Sequence, residues 1–255
     1  MPGAEWFLSR RGEPVPPARV YCFAHAGGSP RLFLDWQAHL AGDAEIVAVC
    51  PPGRGHRAAE PQPSLDELID GAAAAIATAA ERDPRPVYLF GHSLGGLVAF
   101  EVARRLRGVP ALHHLVASGI SAPALLPSAR VRELARLEGR AFAEALRFFG
   151  ALPPEVFSDE GVLDLLLPGL IVDFRMAAEY RYRPAPPLAI GVSLMVGRDD
   201  PHVGPAQLEG WQDECLAPPA RHWAEGGHIY FARRPPAVTD VLRAVVAADQ
   251  HVEMI

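Results

Sequence analysis

At 255 residues, 49% hydrophobic and 21% charged, the chain has the size and composition of one large α/β domain. A chain of this length buries about three quarters of its unfolded surface, and fibrous and disordered classes are excluded. A net charge of -6 argues against general affinity for nucleic acid, whose phosphate backbone requires a basic surface. The three widely spaced cysteines, Cys22, Cys50 and Cys215, suggest neither a disulfide framework nor a metal cluster and fit a reducing, cytoplasmic setting.

The first residues, MPGAEWFLSRRGEP, lack the apolar core of a secretory signal, and no apolar run is long enough to span a bilayer. Short β-branched and aromatic runs then alternate with helical patterns. The runs are VYCFA at 20–24, EIVAVC at 45–50, PVYLF at 86–90, HLVASG at 114–119 and VSLMVG at 192–197. That rhythm predicts a mostly parallel sheet with helices on its faces. Between the second and third runs, Ser64 to Ala80 reads as a helix, with Ser64 as N-cap and Glu67 completing a capping box. From about Ala122 to Pro184 the rhythm is interrupted by consecutive amphipathic helices, over Arg130 to Glu138, Arg140 to Phe149 and Leu163 to Tyr182, the last broken at Pro168-Gly169. This block is too short to hold much core of its own and is expected to be a lid inserted into a single domain covering residues 1–255.

The chemistry concentrates in LFGHSLGGLVAF, residues 89–100. Ser93 follows a predicted strand, precedes a helical pattern and is surrounded by Gly91, Gly95 and Gly96, which is the setting of a nucleophile elbow. The backbone N–H of Leu94, at the start of the helix, points toward the place where an oxyanion would form. A second donor is expected from the loop AHAGGSP after the first strand, with Ala26 as the candidate. A serine hydroxyl needs a histidine base, and the histidine needs a carboxylate. In this fold the chain order is Ser, acid, His. LMVGRDDPHV supplies Asp200, with its neighbour Asp199 as the alternative, and HWAEGGHIYF supplies His228 after a further strand. His92 is expected to orient a neighbouring loop and His25 to tie down the loop carrying Ala26. No pair of histidines has convincing metal-ligand spacing.

Six segments together resemble the stand-alone type II thioesterases of polyketide and nonribosomal-peptide pathways. They are YCFAHAGGSPRLFLDW, PPGRGHR, GHSLGGLVAFEVARRL, LLLPGLIVDFRMAAEYRY, GRDDPHVGPAQLEGW and GGHIYF. The resemblance runs from about Trp6 to Val246. It implies an α/β-hydrolase fold with a mostly parallel central sheet flanked by helices and a helical lid at about 122–184. The implied activity is hydrolysis of acyl groups from the phosphopantetheine arm of carrier proteins, with Ser93, Asp200 and His228 as the triad and the Ala26 and Leu94 backbones as the oxyanion hole. No metal or organic cofactor is expected, since the phosphopantetheine belongs to the substrate. The expected partner is an acyl or peptidyl carrier protein, with no nucleic acid or membrane involved and the enzyme a monomer.

Two positions depart from the family pattern: Cys50-Pro51-Pro52-Gly53-Arg54 has two prolines where one is usual, and Leu94-Gly95-Gly96 stands where Met-Gly-Ala is common. Phe142, Leu146, Phe149 and Phe174 are the expected lining of the acyl chamber. Arg130, Arg132, Arg136, Arg140 and Arg147 are candidates for docking an acidic partner. A general carboxylesterase or an acyltransferase of the same fold would share every triad residue, and a non-catalytic carrier-protein binding module is a third reading.

Overall fold

The computed structural model describes residues 4–10, 14–149, 154–232 and 234–252. Seven strands form one sheet: β1 (Phe7–Ser9), β2 (Ala18–Phe23), β3 (Ala44–Val49), β4 (Val87–His92), β5 (Leu112–Ser118), β6 (Gly191–Gly197) and β7 (Ala220–Ala224). Their order is β1-β3-β2-β4-β5-β6-β7. Only β1, on the edge, runs antiparallel to its neighbour, pairing Phe7 with Val49. All other pairings are parallel.

Both faces of the sheet are covered, which is why β2, β3 and β4 are buried along their whole length. Successive side chains of each strand feed opposite layers. Tyr21, Phe23, Val47 and Leu89 pack with α1 (Leu65–Arg82) and α2 (Leu94–Arg105). Val20, Cys22, Ile46, Tyr88 and Phe90 pack with the 3-10 segment Pro30–His39 and with α7 (Pro236–Val252). The capping box of α1 is present as expected. The Ser64 hydroxyl accepts the Glu67 N–H at 3.3 Å, and the Glu67 carboxylate accepts the Ser64 N–H at 2.8 Å, a pairing of the kind that contributes about 1 kcal/mol to helix stability.

Between β5 and β6 lie α3 (Ala129–Leu134), α4 (Gly139–Phe149) and α5 (Glu160–Glu179), with no strand among the described residues. A break at Pro168-Gly169 was expected, but α5 continues through Pro168. The proline removes one N–H and leaves the Asp164 carbonyl without its helical donor. Asp164, Leu165 and Pro168 are all exposed, so this side of the helix faces solvent, where the carbonyl can bond to water. The three helices share a small core of Leu134, Phe142, Ala143, Leu146, Leu167, Leu170 and Phe174. The short α6 (Pro205–Leu208) follows β6. Among the described residues no helix is long and apolar enough to cross a membrane.

Candidate active site

Ser93 sits between the end of β4 and the first turn of α2 with φ 54 and ψ -118. It is the only non-glycine residue with positive φ among the described residues. Such a conformation costs about 1–3 kcal/mol and persists only where its surroundings over-determine it. Here the Ser93 N–H donates to the Ser118 carbonyl at 2.8 Å, and the Ser93 carbonyl accepts the Gly96 and Leu97 N–H groups. The turn closes because there are no side chains in the way. A Cβ on Gly91 would lie 2.0 Å from the Gly95 carbonyl oxygen, and one on Gly95 would lie 2.2 Å from that of Phe23. As the first residue of α2, Leu94 has no acceptor within the helix for its N–H.

At the carboxyl ends of β6 and β7 the two later candidates meet. His228 Nδ1 donates to Asp200 Oδ2 at 2.8 Å, and Asp200 Oδ1 accepts the His202 and Val203 N–H groups at 2.8 and 3.2 Å. The Asp200 side chain has no exposed surface and that of His228 only 5%. Burial by itself would raise the Asp200 carboxyl, but the hydrogen bond and charge of His228, with the His202 N–H, outweigh it and hold the group below the usual carboxylate value. An ionised Asp200 can only accept, so the shared proton is on Nδ1 and the Nε2 of neutral His228 carries a lone pair. Asp199 is exposed, and its N–H is committed to the Gly226 carbonyl at 3.0 Å.

Aromatic rings pack around His228. His92 lies 4.8 Å away and His202 5.3 Å away, centroid to centroid. His92 Nδ1 shares a hydrogen bond with Ser118 Oγ at 2.8 Å, and that hydroxyl also meets the Tyr230 hydroxyl at 2.6 Å. His92 therefore ties the elbow to the ends of β5 and the His228 loop. The His25 ring packs edge-on against His92 and Phe231, and its buried Nδ1 has no hydrogen-bond partner among the described residues, so it anchors its loop by ring packing. Burial pushes His25 down to about 4 and His92 well below the ordinary value, with the charge of His228 a secondary cause in both. Both rings stay neutral near pH 7, so no fixed charge on them opposes a positive charge arising on His228.

A half-open cleft of about 670 Å3 is lined by Ser93, His228, Ala26 and Leu94, with Leu97, Ile120, Leu126, Val131, Phe174, Ala177, His202 and Val203 giving it a largely apolar wall. Of the expected lining residues, Phe174 is on this wall. Phe142 and Leu146 are not: both are fully buried inside the helical block, Phe142 packing edge-on against Phe174 at 5.5 Å. Helical periodicity marks an apolar face but not which partner covers it, and α4 turns that face to α5. The Phe149 side chain lies outside the described residues. Leu126 and Val131 went unnoticed in the sequence, where each is one apolar residue among many. Both prolines of the PPGR loop border a neighbouring cavity of about 570 Å3, which Leu94 and Gly95 also line. Among the described residues no group of three His, Cys, Asp or Glu side chains is arranged to hold a metal ion.

A model of the thioesterase domain family matches residues 18–246. The chain belongs to that family. The thioesterase is 34% identical to thioesterase PikA5 of Streptomyces venezuelae over 87% of this chain and 79% of the relative. The structure of the type II thioesterase BorB from the borrelidin biosynthetic cluster superimposes with a TM-score of 0.81 at 31% identity, covering 94% of this chain and 97% of that one. The thioesterase is also 32% identical to AMB antimetabolite synthetase AmbE of Pseudomonas aeruginosa over 95% of its own length, and there it spans only 11% of the relative. These likenesses set it among the type II thioesterases of polyketide and nonribosomal-peptide pathways, on the α/β-hydrolase fold.

Proposed function

We propose that this thioesterase releases acyl groups from the phosphopantetheine arm of carrier proteins by a serine mechanism. One observation carries the reading: the elbow serine and a histidine bonded to a buried carboxylate open onto one apolar cleft. His228 Nε2 takes the Ser93 proton as Oγ attacks the thioester carbonyl, and Asp200 stabilises the resulting imidazolium. The Ala26 and Leu94 N–H groups receive the oxyanion, a contribution of about 3 kcal/mol for each well-placed donor. The imidazolium returns the proton to the departing pantetheine thiolate, leaving an acyl-enzyme that water, activated by the same histidine, hydrolyses to the free acid. An acyltransferase would differ only in the final acceptor. Incubation with a panel of acyl-loaded carrier proteins, followed by intact-protein mass spectrometry, separates these outcomes: free carrier and free acid are expected, and a carrier that keeps its acyl group would sink the reading.

The helices α3 to α5 act as a lid over the cleft within one domain, and their apolar wall selects the acyl group. Val131→Phe narrows the cleft and is expected to shift preference toward shorter acyl chains by about tenfold or more per methylene excluded. Phe142→Ala, inside the block, should instead lower stability by about 3–5 kcal/mol and leave the preference unchanged. Competition between acyl-N-acetylcysteamines of graded length, with urea unfolding alongside, reads both effects. A Val131→Phe variant with the wild-type profile would remove this wall from the acyl site.

The carrier protein, acidic where it docks, meets a local basic face, since the net charge of -6 rules out global attraction. Arg130, Arg132 and Arg136 are exposed and have no ion-pair partner among the described residues, whereas Arg140 pairs with Glu144 and Arg147 lies over the Phe157 ring. Val131, between two of these arginines, is on the cleft wall. Reversing Arg132 and Arg136 to Glu should weaken turnover of acyl-carrier protein and its salt sensitivity while sparing the matching N-acetylcysteamine thioester. Equal effects on the two substrates would move the docking face elsewhere.

A further inference from the structure

The segment His25-Ala26-Gly27-Gly28 is a tight turn. The Gly28 N–H donates to the His25 carbonyl at 2.8 Å, and Gly27 has φ +73. A positive φ at the third position of a hydrogen-bonded turn is the type II geometry, and rotation of the central peptide converts such a turn to type I. That central peptide carries the Gly27 N–H, which donates to Asp173 Oδ2 on α5 at 2.7 Å. The other carboxylate oxygen, Oδ1, accepts from Arg54 Nη2, which also donates to the Gly169 carbonyl at 3.2 Å. Arg54 can lie against α5 because position 169 has no side chain: a Cβ there would meet Nη1 at 2.7 Å. Leu170 presses on the same turn, where a Cβ on Gly27 would lie 2.4 Å from its Cδ2. Asp173 is 7% exposed, and burying a paired carboxylate is costly enough that it argues for a role beyond stability.

Resting on the proposed role of the Ala26 N–H, we propose that Asp173, oriented by Arg54, is a positioning residue that locks the Ala26–Gly27 peptide and so holds the oxyanion donor of the preceding residue in place. The helical block thereby contributes to the catalytic apparatus as well as covering it. The geometry makes a specific demand on position 173. A carboxylate offers one oxygen to Arg54 and one to Gly27, whereas an asparagine has a single oxygen. The charged guanidinium takes that oxygen, and the amide NH2 is turned against the Gly27 N–H. Removing Arg54 frees the asparagine to rotate its oxygen back to Gly27.

The test uses the full chain, a short acyl-N-acetylcysteamine and a trifluoromethyl ketone of the same acyl group, which forms a tetrahedral oxyanion adduct. Active sites are counted by fluorophosphonate stoichiometry at completion. Asp173→Asn is expected to lower kcat per active site by about 10- to 100-fold, less than full loss of a donor, with KM within about twofold and ketone affinity falling in parallel with kcat. The double variant Arg54→Met/Asp173→Asn should recover much of that loss, whereas Arg54→Met/Asp173→Ala, with no acceptor, should not. Unchanged kcat and ketone affinity in Asp173→Asn would overturn the proposal, as would a double Asn variant no better than the single one. Should Asp173→Asn fail to fold, the two Arg54→Met doubles decide: equal kcat and equal ketone affinity overturn it. A wild-type protein that ignores the fluorophosphonate, or a Ser93→Ala variant that still turns over at the wild-type rate, would indict the serine mechanism itself and not the clamp.

Discussion

Ser93→Ala is expected to eliminate fluorophosphonate labelling and to lower kcat for thioester hydrolysis by up to about 10⁶-fold, as for removal of the nucleophile in well-studied serine enzymes. The fold should be nearly unaffected. Alanine at φ 54 carries the same backbone strain as serine, and the hydrogen bonds that hold the elbow come from the main chain at Ser93, Ser118, Gly96 and Leu97. A residual rate is expected, because the oxyanion donors and the apolar cleft still bind and polarise the thioester for attack by water. Labelling by an activity probe and the thermal midpoint measured on the same preparation separate loss of chemistry from loss of structure. A variant that still labels, or that hydrolyses at the wild-type rate, would mean that another hydroxyl performs the reaction.

The elbow was legible in the sequence because its constraint is local: strand, turn and helix follow one another within a dozen residues, and every glycine needed for their close approach is inside that span. The central strands were legible for a related reason. A strand covered on both faces reads as a continuous apolar run, as at Val87 to Phe90. The edge strand β1 gave no such signal, since its three residues are defined only by pairing with Val49, Ala48 and Val47 some forty positions away. Pro168 misled in the other direction. A proline ends most helices, and what lets α5 continue is that the affected side faces water, a property of tertiary placement.

The same division runs through the site. The proposed triad of Ser93, Asp200 and His228 was read from chain order and loop setting, but the choice between two adjacent aspartates was not a matter of pattern, and only the fold turns one inward and the other out. Phe142 and Leu146 were assigned to the cleft wall from periodicity, which cannot tell a face packed on a neighbouring helix from a face turned to a ligand. Least visible was the link from Arg54 to Asp173. These residues are 119 positions apart, and in the sequence each is an ordinary charge within a family motif. Nothing local indicates that both converge on the turn carrying Ala26.

Asp200→Asn is expected to lower turnover by up to about 10⁴-fold, the scale seen when a triad carboxylate becomes an amide, while Asp199→Asn changes it little. The direction follows from the two backbone donors on Asp200. Oδ1 accepts the N–H groups of His202 and Val203, so an asparagine there must place its oxygen on that side, since its NH2 would face two donors. The NH2 is then turned to His228 and can only donate, which requires a lone pair on Nδ1 and moves the ring proton to Nε2. In that tautomer the nitrogen on the Ser93 side is a donor and cannot take the serine proton. KM should change far less than kcat, because the apolar wall of the cleft is untouched. Steady-state kinetics on one acyl-N-acetylcysteamine, with imidazole-proton NMR to locate the ring proton, checks both the size and the cause. A larger loss from Asp199→Asn would move the acid to that residue, and a small loss from both would place it elsewhere in the molecule.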